Sequence, residues 1–266
     1  MSTSISILDL PPPPADQRIR YGPDPLQIAD LRLPEGTGPH PCVIAIHGGF
    51  WRNRYDLAHL GHLCAALTPA GFASWNVEYR RVDDPGGGWP GTFHDVARAA
   101  RHLFAIAPRH RLDPGRVIVL GHSAGGQLAL WLANMGAVPV ASEIRDEPLP
   151  LHGAVSLAGV LDLRRAFDLD LSDGAVRAFL DGPPDEVPDR YAAASPVELS
   201  PLAIPHLLVH GGQDESVPPD MSTRLHAASP DASTLLMFPD AGHFDLIDPR
   251  ATMWPDLLAA IHAVAS

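Results

Sequence analysis

The sequence predicts an α/β protein: a mostly parallel central sheet with helices on both faces. Three observations carry this. Short, continuously apolar, β-branched runs recur along the chain; helical patterns with apolar residues three and four apart separate several of them; and most of the runs end in a loop containing glycine. Strands that are apolar on both sides need cover on both sides, and a parallel sheet with crossover helices supplies it.

In chain order, Pro11 to Pro14 form a proline run that is extended and cannot join a central strand. Gln27 to Leu33 (QIADLRL) alternates apolar and polar residues, as a half-exposed strand near a sheet edge does. Cys42 to Ile46 (CVIAI) is a buried strand that runs straight into His47-Gly48-Gly49-Phe50-Trp51. Tyr55 to Leu67 places Leu57, Leu60, Leu63 and Leu67 three and four apart, the spacing of one helix face. A strand at Phe72 to Tyr79 follows, then a helix at Phe93 to Ile106 built on Val96, Ala100, Leu103 and Phe104. Arg116 to Leu120 (RVIVL) is a strand leading into Gly121, and Gln127 to Asn134 (QLALWLAN) a helix leading away. Ala154 to Leu157 is a strand ahead of Ala158-Gly159. The least regular stretch, Asp162 to Pro205, holds Gly182-Pro183-Pro184 and nine acidic residues against four arginines. It reads as a cap or lid insertion around 162–205 within a single domain spanning 1–266, with a solvated surface loop as the alternative. Two more strands, His206 to Val209 and Thr234 to Phe238, precede a final helix.

Composition narrows the chemistry. The chain has 266 residues, and 31 acidic against 19 basic side chains give a net charge of -12. All nineteen basic residues are arginine, which excludes Schiff-base catalysis on lysine and a P-loop phosphate site, since both need an ammonium group. An acidic chain without a basic run repels nucleic acid and anionic membrane, so neither is an expected partner. Cys42 and Cys64 are too few for a disulfide framework or a four-thiolate metal site. Met1 to Leu10 shows no cationic start followed by a long apolar run, so neither a signal peptide nor a membrane span is expected. These readings place the protein in the cytoplasm.

The residues that carry chemistry gather at the predicted strand ends, where ligands of such sheets bind. Gly121-His122-Ser123-Ala124-Gly125 is a G-x-S-x-G pattern followed by Gly126, set between a strand and a helix as a nucleophile turn requires. A serine hydroxyl needs a base to take its proton and a third group to hold that base in the right tautomer. Of fourteen histidines, His243 is the best base, in a glycine-containing loop after the last strand. Asp214, five residues beyond Val209, is the favoured orienting acid, with Asp240 and Asp245 as alternatives near His243. The N–H of Ala124, next to the nucleophile, is placed to meet charge developing on a substrate oxygen. His59 and His62 lie one turn apart but have no third ligand in sequence, so no metal is expected. Gly86-Gly87-Gly88 opens no helix after a strand and does not make a dinucleotide fingerprint. His122, beside the nucleophile, is a pocket wall or a packing residue, and His210 is expected to tether the Asp214 loop.

The order Ser123, Asp214, His243 is that of α/β-hydrolases. With His47 to Trp51, Gly121 to Gly126, His210 to Pro218 (HGGQDESVP) and Gly242-His243-Phe244, the chain resembles the esterase and lipase group of that superfamily over most of its length, from about Gln27 to the final helix. The histidine-glycine-glycine motif with Trp51 two residues on is also similar to that of kynurenine formamidases. The resemblance implies that Gly49 and Phe50 join Ala124 in an oxyanion hole, that His47 holds this loop, and that Trp51 lines the substrate pocket or packs in the core. It further implies a serine hydrolase that cleaves small carboxylic esters through an acyl-enzyme, without cofactor. An arylformamidase using the same machinery is the alternative, and a catalytically silent binding module a third reading.

Overall fold

The structure, a computed structural model, describes residues 5–266. Its strands are β1 (Gln17–Arg20), β2 (Ile28–Arg32), β3 (His40–Ile46), β4 (Ala73–Val77), β5 (Leu112–His122), β6 (Gly153–Leu157), β7 (His206–Gly211) and β8 (Ser233–Phe238). They form one sheet in the order β1-β2-β4-β3-β5-β6-β7-β8. β1 pairs β2 and β2 pairs β4 antiparallel; the rest of the sheet is parallel. The chain thus makes a mostly parallel sheet of the expected class. The seven expected strands are all present, and β1 is an addition. Its sequence QRIR offers one apolar residue, Ile19, and three exposed ones, so it carries no periodic signal and forms by pairing along β2.

Successive side chains of a strand point to opposite faces, and here both faces are buried. β3 sends Cys42, Ile44 and Ile46 into one core and Val43 and Ala45 into the other, while β5 divides Val117 and Val119 from Ile118 and Leu120 in the same way. Helices cover both sides. α1 (Gly61–Leu67) and α8 (Trp254–Val264) pack Leu63, Leu67, Leu257 and Ile261 on the Val43 face. α2 (Gly91–Ile106), α3 (Ala124–Ala133) and α7 (Asp220–Ala228) pack Phe93, Leu103, Leu128, Trp131 and Leu225 on the Ile44 face. The helix expected from Tyr55 begins instead as a 3-10 turn, Leu57–Leu60, which Asp56 caps by accepting from the Ala58 N–H at 2.8 Å. Three short helices lie between β6 and β7: α4 (Leu163–Asp168), α5 (Ala175–Leu180) and α6 (Pro188–Ala194). No helix of the described residues is long and apolar enough to cross a membrane.

The consequence for function is positional. β3, β5, β7 and β8 run parallel, so the residues that follow their ends collect at one edge of the sheet. These are His47 to Trp51, Ser123, Asp214 and His243.

Candidate active site

β5 ends in a sharp turn. Ser123 has φ 57° and ψ -122°, a backbone conformation unfavourable for any residue but glycine, and α3 starts at the next residue. The turn is held from both sides: the Ser123 N–H donates to the Leu157 carbonyl at 2.8 Å, and the Val160 N–H donates to the Ser123 carbonyl at 3.2 Å. It also needs Gly125, where a Cβ would stand 2.0 Å from the Ile46 carbonyl oxygen. Ser123 is thereby fixed at the head of α3, whose dipole favours negative charge there.

His243 follows β8 and meets Asp214, which follows β7. The His243 Nδ1–H donates to Asp214 Oδ2 at 2.7 Å, which fixes the tautomer and leaves Nε2 as the basic nitrogen. Asp214 Oδ1 accepts from the Ser216 and Val217 N–H groups, each at 2.8 Å, and its side chain is fully buried. Burial alone would raise its pKa, yet hydrogen bonds from His210 and His243, the His243 charge and the Val217 N–H together hold the carboxyl well below the ordinary carboxylate range. Of the three carboxylates open as partners of His243, Asp214 is the one in contact; Asp245 instead accepts from the Gly242 N–H at 2.7 Å. His210 lies below Asp214: Nε2 is 2.9 Å from the Val217 carbonyl and 3.4 Å from Asp214 Oδ2, and Nδ1 accepts from the Ser222 hydroxyl at 2.7 Å.

Ser123 and His243 line one cavity of about 570 Å³ with Gly49 and Phe50. Among the described residues no hydrogen bond occupies the N–H groups of Gly49 and Phe50. Ala124 is the first residue of α3 and is buried beside the serine, where its N–H precedes the helical ladder. Tyr55 and Phe244 add apolar wall, while Arg52, Asn53, Arg54, Asp83, Ser172 and Asp173 form a polar rim. The Arg52 guanidinium ties that rim together by donating to the carbonyls of Ser172 and Asp173 at 3.1 and 2.9 Å.

Trp51 and His122, each open as pocket wall or as packing residue, do not line the cavity, which corrects the pocket reading of both. Trp51 is fully buried and does not line the cavity. Its ring stacks on Phe179 of α5 at 4.4 Å and its Nε1–H donates to Gln127 Oε1 of α3 at 3.0 Å; Gln127 Nε2 in turn donates to the Ala194 carbonyl of α6 at 2.8 Å. His122 is also fully buried, behind the serine. Its Nε2–H donates to the His243 carbonyl at 3.0 Å, so Nδ1 accepts from His59 Nε2 at 2.8 Å. Burial among other histidines pushes both rings toward the neutral form: His122 falls well below the usual range and His59 to about 3. His62 turns away to the Leu10 carbonyl.

The sequence reading missed Glu78, Gln127 and Arg52. A glutamate directly after an apolar strand and beside Tyr79-Arg80-Arg81 is the one local signal for Glu78, because a carboxylate is buried only with partners. His47, expected to hold the glycine loop, does so through Glu78 Oε1 at 3.0 Å.

Proteins similar in sequence include an ester hydrolase and a formamidase. Neutral cholesterol ester hydrolase 1 of Rattus norvegicus is 36% identical over 115 residues, covering 40% of this chain and 28% of the relative. The kynurenine formamidase of Meyerozyma guilliermondii is 27% identical over 145 residues, covering 54% of this chain and 52% of the relative. The chain thus spans well under two thirds of the length of these relatives. Among solved structures, a truncated carbohydrate esterase from gut microbiota superposes with a TM-score of 0.80 at 22% identity, covering 95% of this chain and 99% of that one. That likeness is one of fold, the α/β-hydrolase fold. Residues 29–228, well over half of the chain, match the BD-FAE family, and the protein belongs to this family.

Proposed function

We propose that the protein is a serine hydrolase that cleaves small carboxylic esters through an acyl-enzyme. The observation that carries the reading is the 2.7 Å bond from His243 Nδ1 to Asp214, made where Ser123 enters the same cavity in a strained turn. In this mechanism His243 Nε2 takes the Ser123 proton as Oγ attacks the ester carbonyl. The N–H groups of Gly49, Phe50 and Ala124 meet the negative charge on the carbonyl oxygen, each contributing about 3 to 4 kcal/mol. The tetrahedral intermediate then collapses, His243 gives its proton to the departing alcohol, and the acyl group stays on Ser123. Water repeats the sequence and releases the acid.

The cavity divides into a small apolar wall beside Ser123 and a polar rim, which suits a short acyl group on a polar alcohol. Residues 162–205, which place Ser172 and Asp173 on that rim, act as its cap. Two buried free cysteines, Cys42 and Cys64, favour a reducing compartment, and we assign the protein to the cytoplasm.

Ser123→Ala should abolish turnover of p-nitrophenyl acetate by several orders of magnitude while circular dichroism stays unchanged. A fluorophosphonate probe should label Ser123 in the unmodified protein. A folded variant with undiminished turnover would sink the reading. The similarity to a kynurenine formamidase, together with His47-Gly48-Gly49-Phe50-Trp51, favours an arylformamidase as the second reading. The ratio of kcat/KM for phenyl acetate and N-formylkynurenine decides between them, and a formamide value about a hundredfold higher would promote the second.

A further inference from the structure

The loop from His47 to Leu57 is held at both ends by one buried side chain that the mechanism above does not use. Glu78, its side chain 3% exposed, directly follows β4. Its Oε1 accepts from His47 Nε2 at 3.0 Å and from the Tyr79 N–H at 3.0 Å, and forms an ion pair with Arg81 NH1 at 3.2 Å. Its Oε2 accepts from the Leu57 N–H at 3.0 Å. The residues after it extend the grip: Tyr79 donates its hydroxyl to the His47 carbonyl at 2.7 Å, Arg81 donates to the Tyr55 carbonyl at 2.6 Å, and the Val82 N–H donates to the Trp51 carbonyl at 2.8 Å. Between these fixed points Gly49, Phe50 and Trp51 have φ of 115°, 50° and 57°. A run of three such residues, two of them not glycine, persists only where the surroundings over-determine it. The loop also lies against the nucleophile, since a Cβ on Gly48 would stand 2.9 Å from the Ser123 Cβ.

We propose that Glu78 is a positioning residue for catalysis: by joining His47 to Leu57 it closes the loop on itself and sets the direction of the Gly49 and Phe50 N–H groups toward the reacting carbonyl oxygen. The inference rests on the reading of this loop as the oxyanion hole. The chemistry requires a carboxylate. Three donors and the Arg81 cation converge on two oxygens, and only an ionised carboxylate accepts at both without presenting a donor of its own. Glutamine at this position turns an NH2 toward either Leu57 or His47, donor against donor. Burial alone would raise the carboxyl pKa, but His47 and Arg81 hold it lowered, so the charge is kept.

The test compares the unmodified protein with Glu78→Gln and Leu57→Pro. The second removes the N–H at the far end of the loop, and with it part of the buried Leu57 side chain, while leaving Glu78 and its other partners in place. Proline suits the first position of a helical turn, and Asp56 already has the extended backbone, φ -132° and ψ -169°, that precedes proline. For Glu78→Gln, kcat on p-nitrophenyl acetate should fall about 100-fold with KM within about threefold. The Ki of a trifluoromethyl ketone, whose adduct on Ser123 places an oxyanion in the hole, should rise by a similar factor. Leu57→Pro should show the same pattern at about tenfold, and it decides the question if Glu78→Gln does not fold. A folded variant with unchanged kcat and Ki, or a loss confined to KM, overturns the proposal. The two levels separate cleanly: turnover that survives Ser123→Ala sinks the reading of the site, whereas an active protein, a dead Ser123→Ala and an undiminished Glu78→Gln sink this inference alone.

Discussion

Asp214 receives the His243 Nδ1–H on one oxygen and two backbone N–H groups on the other, so it is neutralised by partners on every side. Asp214→Asn leaves the shape intact but sets an amide against either His243 or the backbone donors, and kcat should fall about 10⁴-fold. Asp240→Asn and Asp245→Asn should stay within about threefold, and a kinetic comparison of the three decides the assignment. Much of this was readable in advance. The Ser123 and His243 positions follow from a glycine pattern between strand and helix and from a loop after the last strand. Asp214 stands out from its rivals by following a neighbouring strand. Glu78 was not readable, because its partners, His47 and Leu57, lie 31 and 21 residues away and meet it only through the pairing of β3 with β4.

At the level of elements, the turn between β5 and α3 depends on close backbone approach. A Cβ on Gly125 would lie 2.0 and 2.5 Å from the carbonyl oxygens of Ile46 and His47, atoms of the central sheet that cannot move aside. Gly125→Ala should cost about 3 kcal/mol, read as a lower urea midpoint with unchanged m-value. It should reduce esterase activity as well, because the Ser123 turn shifts with it. The buried strands announced themselves by short runs of apolar and β-branched residues, and α2 by its period. β1 and the first turn at Leu57 did not, since one is built from exposed polar residues and the other by a local Asp56 cap. Trp51 shows the same limit. An aromatic residue beside a catalytic motif reads equally well as pocket wall or as core, and only the arrival of Phe179, 128 residues later in the chain, puts it in the core.

For the whole molecule, buried neutral histidines make folding sensitive to acid. His59 and His122 are driven toward the neutral form chiefly by burial, whereas in the unfolded chain each titrates near the ordinary value of about 6.5. Below that value the unfolded state binds protons that the folded state refuses. Their contribution to stability is therefore complete above about pH 6.5 and is lost as pH falls toward their folded values, by about 1.4 kcal/mol per pH unit for each ring. Asp214, with its lowered pKa, acts in a more acidic window: its contribution is present above about pH 4 and is lost as pH falls through its folded value. Tm should therefore decline steadily from pH 7 to pH 4, and His122→Gln should flatten the slope by up to one proton. A Tm that stays level over this range in the unmodified protein would contradict the burial of neutral rings.

The Arg52 tether across the cavity mouth reaches main-chain carbonyls of Ser172 and Asp173, and not their side chains. Every residue type has that carbonyl, but Ser172 and Asp173 both have φ of 53°, so the tether persists for residues that accept the left-handed region. Such substitutions change the side chains at the cavity mouth while the acceptors of the Arg52 guanidinium remain. Under the proposed function, glycine, asparagine or aspartate at these positions should change substrate preference while the Arg52 contacts stay in place.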